Sequence, residues 1–363
     1  MDLLEQARLE INEVDREMAE LFVRRMRAAE KVAAYKQEKG LPVLDPAREE
    51  LVLRKNAGRV EDDTLRAYYV NFLKNNMSLS RAYQHKILEG MRVAYCGTEG
   101  AFAHIATGKL FPTARKVAFG DFADAYHAVE EGRCDVAVLP VENSYNGEVG
   151  QVTDLMFSGG LYINAMMELA VTQDLLVLPG TKMEQIQRVV SHPQALGQCA
   201  EYIRQQGWEP VEYSNTALAA KFVAENGDPS IAAIASEEAA EIFGLKVKAR
   251  NINASRTNTT RFAVFSGSED LHKKAEMGEH FILMFTVKNE AGALAKAIDV
   301  IGQHGFNMRC LRSRPMKELL WQYYFYVEAE GAIHSPAGQE MLGELEEFCD
   351  RLKMVGTYSK AGS

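Results

Sequence analysis

Three rhythms of apolar and polar positions follow one another along this chain, and each predicts a different kind of element. Over the first ninety residues apolar side chains recur at Leu4, Ala7, Ile11, Val14, Met18 and Leu21, and again at Ala28 and Val32. This three-four spacing predicts one long helix carrying a coiled-coil-like seam. Asp45-Pro46 announces a second helix, a capping residue followed by Pro at the first helical position, which stops near Gly58. A third helix is predicted from Asp63 to Leu88. Its inner face carries Leu65, Tyr69, Phe72, Leu73, Met77 and Ile87, interrupted by a polar stripe of Asn76, Ser80 and Gln84.

From Met91 the rhythm shortens. Strands predicted at 92–96, 136–141, 170–178, 188–191, 231–235 and 261–265 alternate with helices, which implies largely parallel sheets. A polar, charged stretch at 268–279 reads as a linker. Beyond it come strands at 280–287, 306–311, 319–328 and 354–358, with helices at 291–304 and 336–352. That βαββαβ order is the ferredoxin-like split motif.

Composition narrows the partners. The chain has 363 residues, room for two or three domains, and a formal net charge of −9. An acidic balance argues against a general nucleic-acid binder, which needs clustered surplus cation. The first ninety residues hold 16 Lys+Arg against 16 Asp+Glu, so the acidic excess lies downstream and this segment suits a small anionic ligand. The N-terminus lacks a basic segment followed by an apolar one, and no apolar run approaches the roughly 18 residues of a membrane helix. We expect a cytoplasmic chain with no membrane partner. Five scattered cysteines without a C-x-x-C pair fit reduced thiols, and eight dispersed histidines give a metal site no support.

Within the helical segment Arg25 falls on the apolar seam, with Arg8 and Lys36 flanking it. A cation there is costly unless an anion meets it, from a neighbouring helix or from a ligand. At 1.5 Å rise per residue Arg8 and Arg25 lie about 25 Å apart on one helix, so one small ligand reaches both only across two chains. A long helix with two short partners has little core of its own, and an intertwined dimer is expected.

Arg8, Arg25, Lys36, Asp45, Arg48, Glu49, Ser80 and Gln84 resemble, in order and spacing, the site of the all-helical chorismate mutase family. The resemblance covers residues 1–90 and implies rearrangement of chorismate to prephenate without a covalent intermediate. It implies that arginines clamp two carboxylates, that Lys36 and Gln84 donate to the ether oxygen as its bond breaks, and that Arg8 comes from a second subunit.

The stretch from Asn251 to Gly267 sends a hydroxyl-rich approach, ending Asn258-Thr259-Thr260, into the strand-like Phe262-Ala263-Val264-Phe265. Polar turns also follow other predicted strands: Gly97-Thr98-Glu99-Gly100, Glu142-Asn143-Ser144 and Ser191-His192-Pro193-Gln194. Open α/β sheets place ligands at such strand ends. The segments LPVENSYNGEV, SHPQALGQC, NTALAAKFVA, AAIAS and NTTRF resemble the prephenate dehydratase family across residues 91–267. The resemblance implies two lobes like those of type 2 periplasmic binding proteins, and loss of water and carbon dioxide from prephenate to give phenylpyruvate, with no cofactor. By carry-over Thr260 is the expected hydrogen-bond donor to the leaving hydroxyl, with Arg261 a carboxylate or structural anchor. Glu142, Asn143 and Ser144 would wall the cleft, with Thr98 and Gly100 at a helix N-terminus. Where the family has Ser or Thr, this chain has Ala103.

Residues 280–363 resemble the ACT regulatory domain through Gly292-Ala293-Leu294 and Ser313-Arg314-Pro315, which implies L-phenylalanine as effector and side-by-side pairing. The motifs depart from the family at Ala295, where Val is usual, and at Arg312, where Glu is common. The expected architecture is therefore multidomain: an all-α chorismate mutase domain, a two-lobed α/β dehydratase domain and an α+β ferredoxin-like ACT domain, assembled as a homodimer or tetramer. Two alternatives remain open at this level: arogenate in place of prephenate, and a cytoplasmic amino-acid-binding sensor whose helices only dimerise.

Overall fold

The computed structural model describes residues 2–254, 257–269, 279–316 and 322–359, and the chain divides into a helical unit, essentially residues up to Arg92, and a larger unit. Residues 270–278 of the expected linker lie outside the described residues. No helix among the described residues is long and apolar enough to cross a membrane.

In the helical unit α1 (Leu3–Lys39) starts on a capping box, Asp2 accepting from the Glu5 N–H at 2.7 Å, and ends at Gly40 in the left-handed region. Then come α2 (Pro46–Ala57), capped by Asp45, and α3 (Asp63–Glu89), capped by Asp62. The buried residues of α1 are Met26, Ala29 and Ala33, and those of α3 are Leu73, Met77, Ser80 and Gln84. The predicted seam is not what packs within one chain: Leu4, Ile11, Val14, Met18, Leu21 and Val32 are all exposed.

The larger unit opens with a lobe of β1 (Arg92–Cys96), α4 (Phe102–Leu110), β2 (Arg115–Phe119), α5 (Phe122–Glu130), β3 (Val136–Asn143), β4 (Gly147–Glu148), α6 (Gly150–Ser158) and β5 (Tyr162–Ala170). A second lobe holds β6 (Asp174–Val177), β7 (Arg188–Ser191), α7 (Pro193–Gln198), α8 (Ala200–Gln206), β8 (Glu209–Glu212), α9 (Thr216–Asn226), β9 (Ile231–Ala235), α10 (Glu237–Phe243) and β10 (Lys246–Ala249). The chain returns to the first lobe as β11 (Thr259–Ser266). The single strand expected at 170–178 is thus two. β5 ends in one lobe and β6 begins in the other, so Val171-Thr172-Gln173 is one of the crossings between them.

The first-lobe sheet runs β2-β1-β3-β11-β5 and the second β10-β6-β9-β7-β8. Both are mixed rather than largely parallel, because β11 enters antiparallel to β3 and to β5, and β6 antiparallel to β9 and β10. The run Phe262–Phe265 is buried on both faces, as its apolar character predicts, with Tyr126 packed edge-on against Phe265. In the second lobe Ala219, Ala220, Ala232, Ala233 and Ala235 are fully buried, and side chains this small let α9 lie close on β9.

The C-terminal domain comprises β12 (Glu279–Val287), α11 (Ala293–Gln303), β13 (Asn307–Pro315), β14 (Tyr323–Glu330), α12 (Pro336–Glu346) and β15 (Cys349–Ser359). Its sheet order, β13-β14-β12-β15, is that of the split βαββαβ motif. The helix expected to reach Leu352 ends at Glu346, and the last strand begins at Cys349. Leu352 and Met354 pack into the sheet-side core with Phe281, Leu283 and Phe285, a long-range contact that overrides local helical preference. The sheet is continuous with the first lobe through Gly356 of β15 beside Ile163 of β5. A Cβ at Gly356 would lie 2.1 Å from the Ile163 carbonyl oxygen, so only glycine permits this approach.

Candidate active sites

In the helical unit the polar stripe of α3 faces inward. Ser80 and Gln84 are buried, and Gln84 Nε2 donates to the Ser80 carbonyl at 3.2 Å, while Gln84 Oε1 and Asn76 Oδ1 are buried without a partner. Arg25 reaches across from α1 and donates to the Asn76 carbonyl at 3.3 Å. No described carboxylate pairs with it, and burial lowers its pKa from the usual guanidinium range. Lys36 donates to the Val43 carbonyl at 2.6 Å. Asp45 is occupied as a helix cap, accepting from the Arg48 N–H, and Glu49 is paired with Arg81. Arg8 and Arg48 are exposed. The structure therefore gathers Arg25, Asn76, Ser80 and Gln84 at the α1–α3 junction, and leaves Arg8 outside it.

Between the two lobes of the larger unit lies a cleft of about 440 Å³. Thr260 and Asn143 line it as directly paired residues of β11 and β3. Asn143 Nδ2 donates to Thr260 Oγ1 at 3.0 Å and to Asn258 Oδ1 at 2.8 Å, and Asn258 Nδ2 donates to Gln198 Oε1 at 3.2 Å. Asn143 Oδ1 in turn accepts from the Tyr145 and Asn146 N–H groups, which fixes the amide's orientation. Because the Thr260 oxygen accepts from Asn143, its own O–H is left to donate into the cleft.

No lysine or arginine is among the described lining residues. Three helix N-termini converge there instead: α4 at Phe102 and Ala103, α7 at Gln194 and Ala195, and α9 at Asn215 and Thr216. Amide N–H groups at helix starts attract anions, so these helix starts suit a carboxylated ligand, while the one carboxylate among the described lining residues, Glu148, is paired with Arg314. Phe102, Phe122, Pro140 and Phe262 supply apolar wall.

Several expected wall residues point elsewhere. Arg261 and Glu142 each stand one position from a cleft residue, and the pleat turns them to the opposite face. There Arg261 pairs with Glu142 at 3.2 Å and with Glu328 at 3.0 and 2.9 Å, and donates to the Tyr358 hydroxyl at 2.7 Å. Burial by itself lowers the Arg261 pKa, but Glu328 and Tyr358 raise it overall. In this arrangement the Arg261 guanidinium ties β11 to Glu328 and Tyr358 of the C-terminal domain. Ser144 does not line the cleft; its hydroxyl donates to the Thr257 carbonyl and accepts from the Thr259 N–H, latching the approach to β11. Thr98 and Gly100 also lie off the lining: Thr98 Oγ1 is buried without a partner and the Gly100 N–H donates to His104, while Gly97 and Ala101 take the lining positions. The sequence alone did not single out Gln198, Gln173, Asn215 or Thr216, and named Asn258 only as part of the approach to β11. Their signal was there in part, as polar residues at strand ends and helix caps inside the SHPQALGQC, NTALAA and NTTRF segments.

In the C-terminal domain Gly292 takes φ 85° as α11 begins, with Ala293 and Leu294 in the first turn. Ser313 and Pro315 are exposed, whereas Arg314 turns to the first lobe, pairing with Glu148 and, at 3.0 Å, with Asp154.

Comparison with known proteins bears on both sites. Residues 7–85 match the chorismate mutase type II family and residues 93–270 the prephenate dehydratase family. A bifunctional chorismate mutase/prephenate dehydratase of Aquifex aeolicus is 32% identical, the match covering 99% of each chain. A solved structure described as GqqA, a quorum quenching acylase, is 31% identical with a TM-score of 0.69, covering 74% of this chain and 98% of that one. A prephenate dehydratase from Arthrobacter aurescens, solved in complex with L-Phe, is 25% identical with a TM-score of 0.68 over 75% of this chain and 90% of its own.

Proposed function

The chain belongs to the bifunctional chorismate mutase/prephenate dehydratase family, and from that premise we propose which of its residues carry the two reactions. The enzyme converts chorismate to prephenate, and prephenate to phenylpyruvate with loss of water and carbon dioxide, in phenylalanine biosynthesis.

For the mutase, Arg25 is the cation that meets a substrate carboxylate. Its position explains why a guanidinium is held half-buried with only a carbonyl as partner. Lys36 and Gln84 are the donors to the ether oxygen, where negative charge builds as the C–O bond breaks. The second clamp is Arg8 from a second copy of the chain, supported by the exposed seam of α1, whose apolar side chains a partner helix would cover. Asp45, Arg48, Glu49 and Ser80 shape the pocket around these groups.

For the dehydratase, the carrying observation is the 3.0 Å bond from Asn143 to Thr260 Oγ1. Held as an acceptor by Asn143, the Thr260 hydroxyl donates a hydrogen bond to the departing ring hydroxyl of prephenate, which takes up a proton from solvent to leave as water, while the three helix N-termini and the amides of Gln198 and Asn258 hold the carboxylates. The carboxylate's own bonding electrons form the new ring double bond as carbon dioxide leaves, and the aromatic ring supplies the drive. The apolar wall limits water and strengthens each polar contact.

For the C-terminal domain we read an ACT domain that senses L-phenylalanine beside Gly292, Ala293, Leu294 and Ser313. The L-Phe complex of the Arthrobacter relative supports this reading. Five free cysteines fit a reducing, cytoplasmic setting. One experiment tests the whole reading: purified protein is given chorismate alone, with prephenate and phenylpyruvate followed over time, with and without L-phenylalanine. Phenylpyruvate accumulates, and more slowly with phenylalanine. Prephenate that accumulates unconverted would sink the Thr260 assignment or make arogenate the dehydratase substrate. Untouched chorismate would sink the mutase assignment.

A further inference from the structure

Glu142 on β3 and Arg261 on β11 are turned away from the cleft, Glu148 on β4 stands at its edge, and each meets a partner from the C-terminal domain. Glu142 and Glu148 are directly paired across β3 and β4, as are Asn143 and Gly147. Side chains alternate along strands, so the two carboxylates lie on one side of the hairpin and Asn143 on the other, although Glu148, at the cleft's edge, also contributes to its lining. On β13, Arg312 and Arg314 stand two residues apart and likewise share a face. The spacings match: Arg312 pairs with Glu142, and Arg314 with Glu148. A third pair runs with reversed polarity, the cation Arg261 on β11 and the acid Glu328 on β14. Glu142 bonds Arg261 as well, so two of the three pairs are joined into one chain of charges, Arg312–Glu142–Arg261–Glu328.

We propose that this ladder of ion pairs sets the position of Asn143 and Thr260, and that Arg312 and Arg314 of the C-terminal domain are positioning residues for the dehydratase reaction. The proposal rests on the reading of the cleft given above. All six side chains are at most 28% exposed, so solvent screens these pairs weakly, and removing one partner leaves a part-buried charge unmatched. The backbone that would relax in response is the Glu142–Glu148 hairpin, which bears the amide that orients Thr260. The sign of the charge at position 312 matters: with Glu there, a carboxylate would face Glu142. The Ser313-Arg314-Pro315 motif is divided in the same way. Its serine and proline are exposed, and its arginine is bound to the first lobe through Glu148, Asp154 and Tyr324.

The test uses the full chain carrying Arg312→Gln, Arg314→Gln or both. Dehydratase kcat on prephenate falls by roughly ten- to a hundredfold, the scale of an ångström of misplacement, while KM stays within about twofold. Mutase kcat is unchanged. Arg312→Lys and Arg314→Lys, which keep the charge, recover most of the loss, a rescue that mere unfolding would not show. If the Gln variants melt below the assay temperature, the Lys variants decide alone: measured at a temperature where they are folded, they lose less than about a third of kcat if the charge is what positions the hairpin. A Gln variant with normal kcat, or with raised KM and normal kcat, overturns the proposal. Failure of the underlying cleft reading would look different, as full dehydratase turnover in Thr260→Val whatever the ladder variants do.

Discussion

In the cleft of the larger unit, Asn143 spends both ends of its amide on named neighbours, and Thr260, Asn258 and Gln198 continue the same network. In the helical unit, Gln84 Oε1 and Asn76 Oδ1 are buried with no partner, Arg25 has a single carbonyl, and the apolar seam of α1 is exposed. The contrast teaches what each region requires. One chain supplies the Asn143, Thr260, Asn258 and Gln198 network, so these groups hold one another in place before any ligand arrives. Unmatched buried acceptors occur in both regions, Gln173 Oε1 and Glu148 Oε2 among the cleft-lining residues, so what sets the helical unit apart is its exposed apolar seam and a half-buried Arg25 with only a carbonyl as partner.

The largest expected effect breaks the helical side of this contrast. Arg25→Ala lowers mutase kcat/KM by roughly a thousandfold, because it removes the guanidinium held at the α1–α3 junction, while dehydratase turnover of added prephenate is unchanged. Next, Thr260→Val lowers dehydratase kcat by roughly a hundredfold and leaves the mutase alone, whereas Thr260→Ser keeps most of the activity. Equal loss from Val and Ser would show that shape, not the hydroxyl, matters there.

A third experiment sharpens the comparison itself. Chains carrying Arg8→Ala and chains carrying Arg25→Ala are each inactive as mutases; mixed and refolded together, they regain about a quarter of wild-type activity, since half the dimers are mixed and each has one intact site. No recovery would place Arg8 outside the site. Dehydratase activity, whose proposed network lies within one chain, is the same in all three samples.

The smallest effect concerns a cation that neither site uses. Lys353 of β15 donates to the carbonyls of Met156 and Gly159 at the end of α6, and burial, with some repulsion from Arg351, lowers its pKa from 10.5 to about 8. A folded-state value below the unfolded one means that the native protein releases this proton first. Between about pH 8 and pH 10.5 the unfolded chain therefore binds more protons, and the Lys353 contribution favours folding increasingly as pH rises through that window. Relative to Lys353→Met, the Tm of the wild type climbs by a few degrees across it. A constant difference between the two would show that Lys353 titrates normally.

Local chemistry determined a good deal by itself. Three-four spacing placed the start of α1, capping residues placed α2 and α3 within a residue or two of both ends, and the polar approach to a β-branched, aromatic run placed Thr260 beside the start of a strand. Such signals are carried by neighbours in sequence, so they survive without knowledge of the fold. Pleating also implied that Thr260 and Arg261 face opposite ways, but which of them meets the cleft depended on what lies behind the sheet. Only the tertiary structure decided that: Glu328 and Tyr358, about 70 and 100 residues downstream, draw Arg261 away, and Arg312 does the same for Glu142. It likewise ended α12 at Glu346, because Leu352 and Met354 are needed in the core under β12. A buried charge takes its direction from its partner, and partners distant in sequence become neighbours only when the chain has folded.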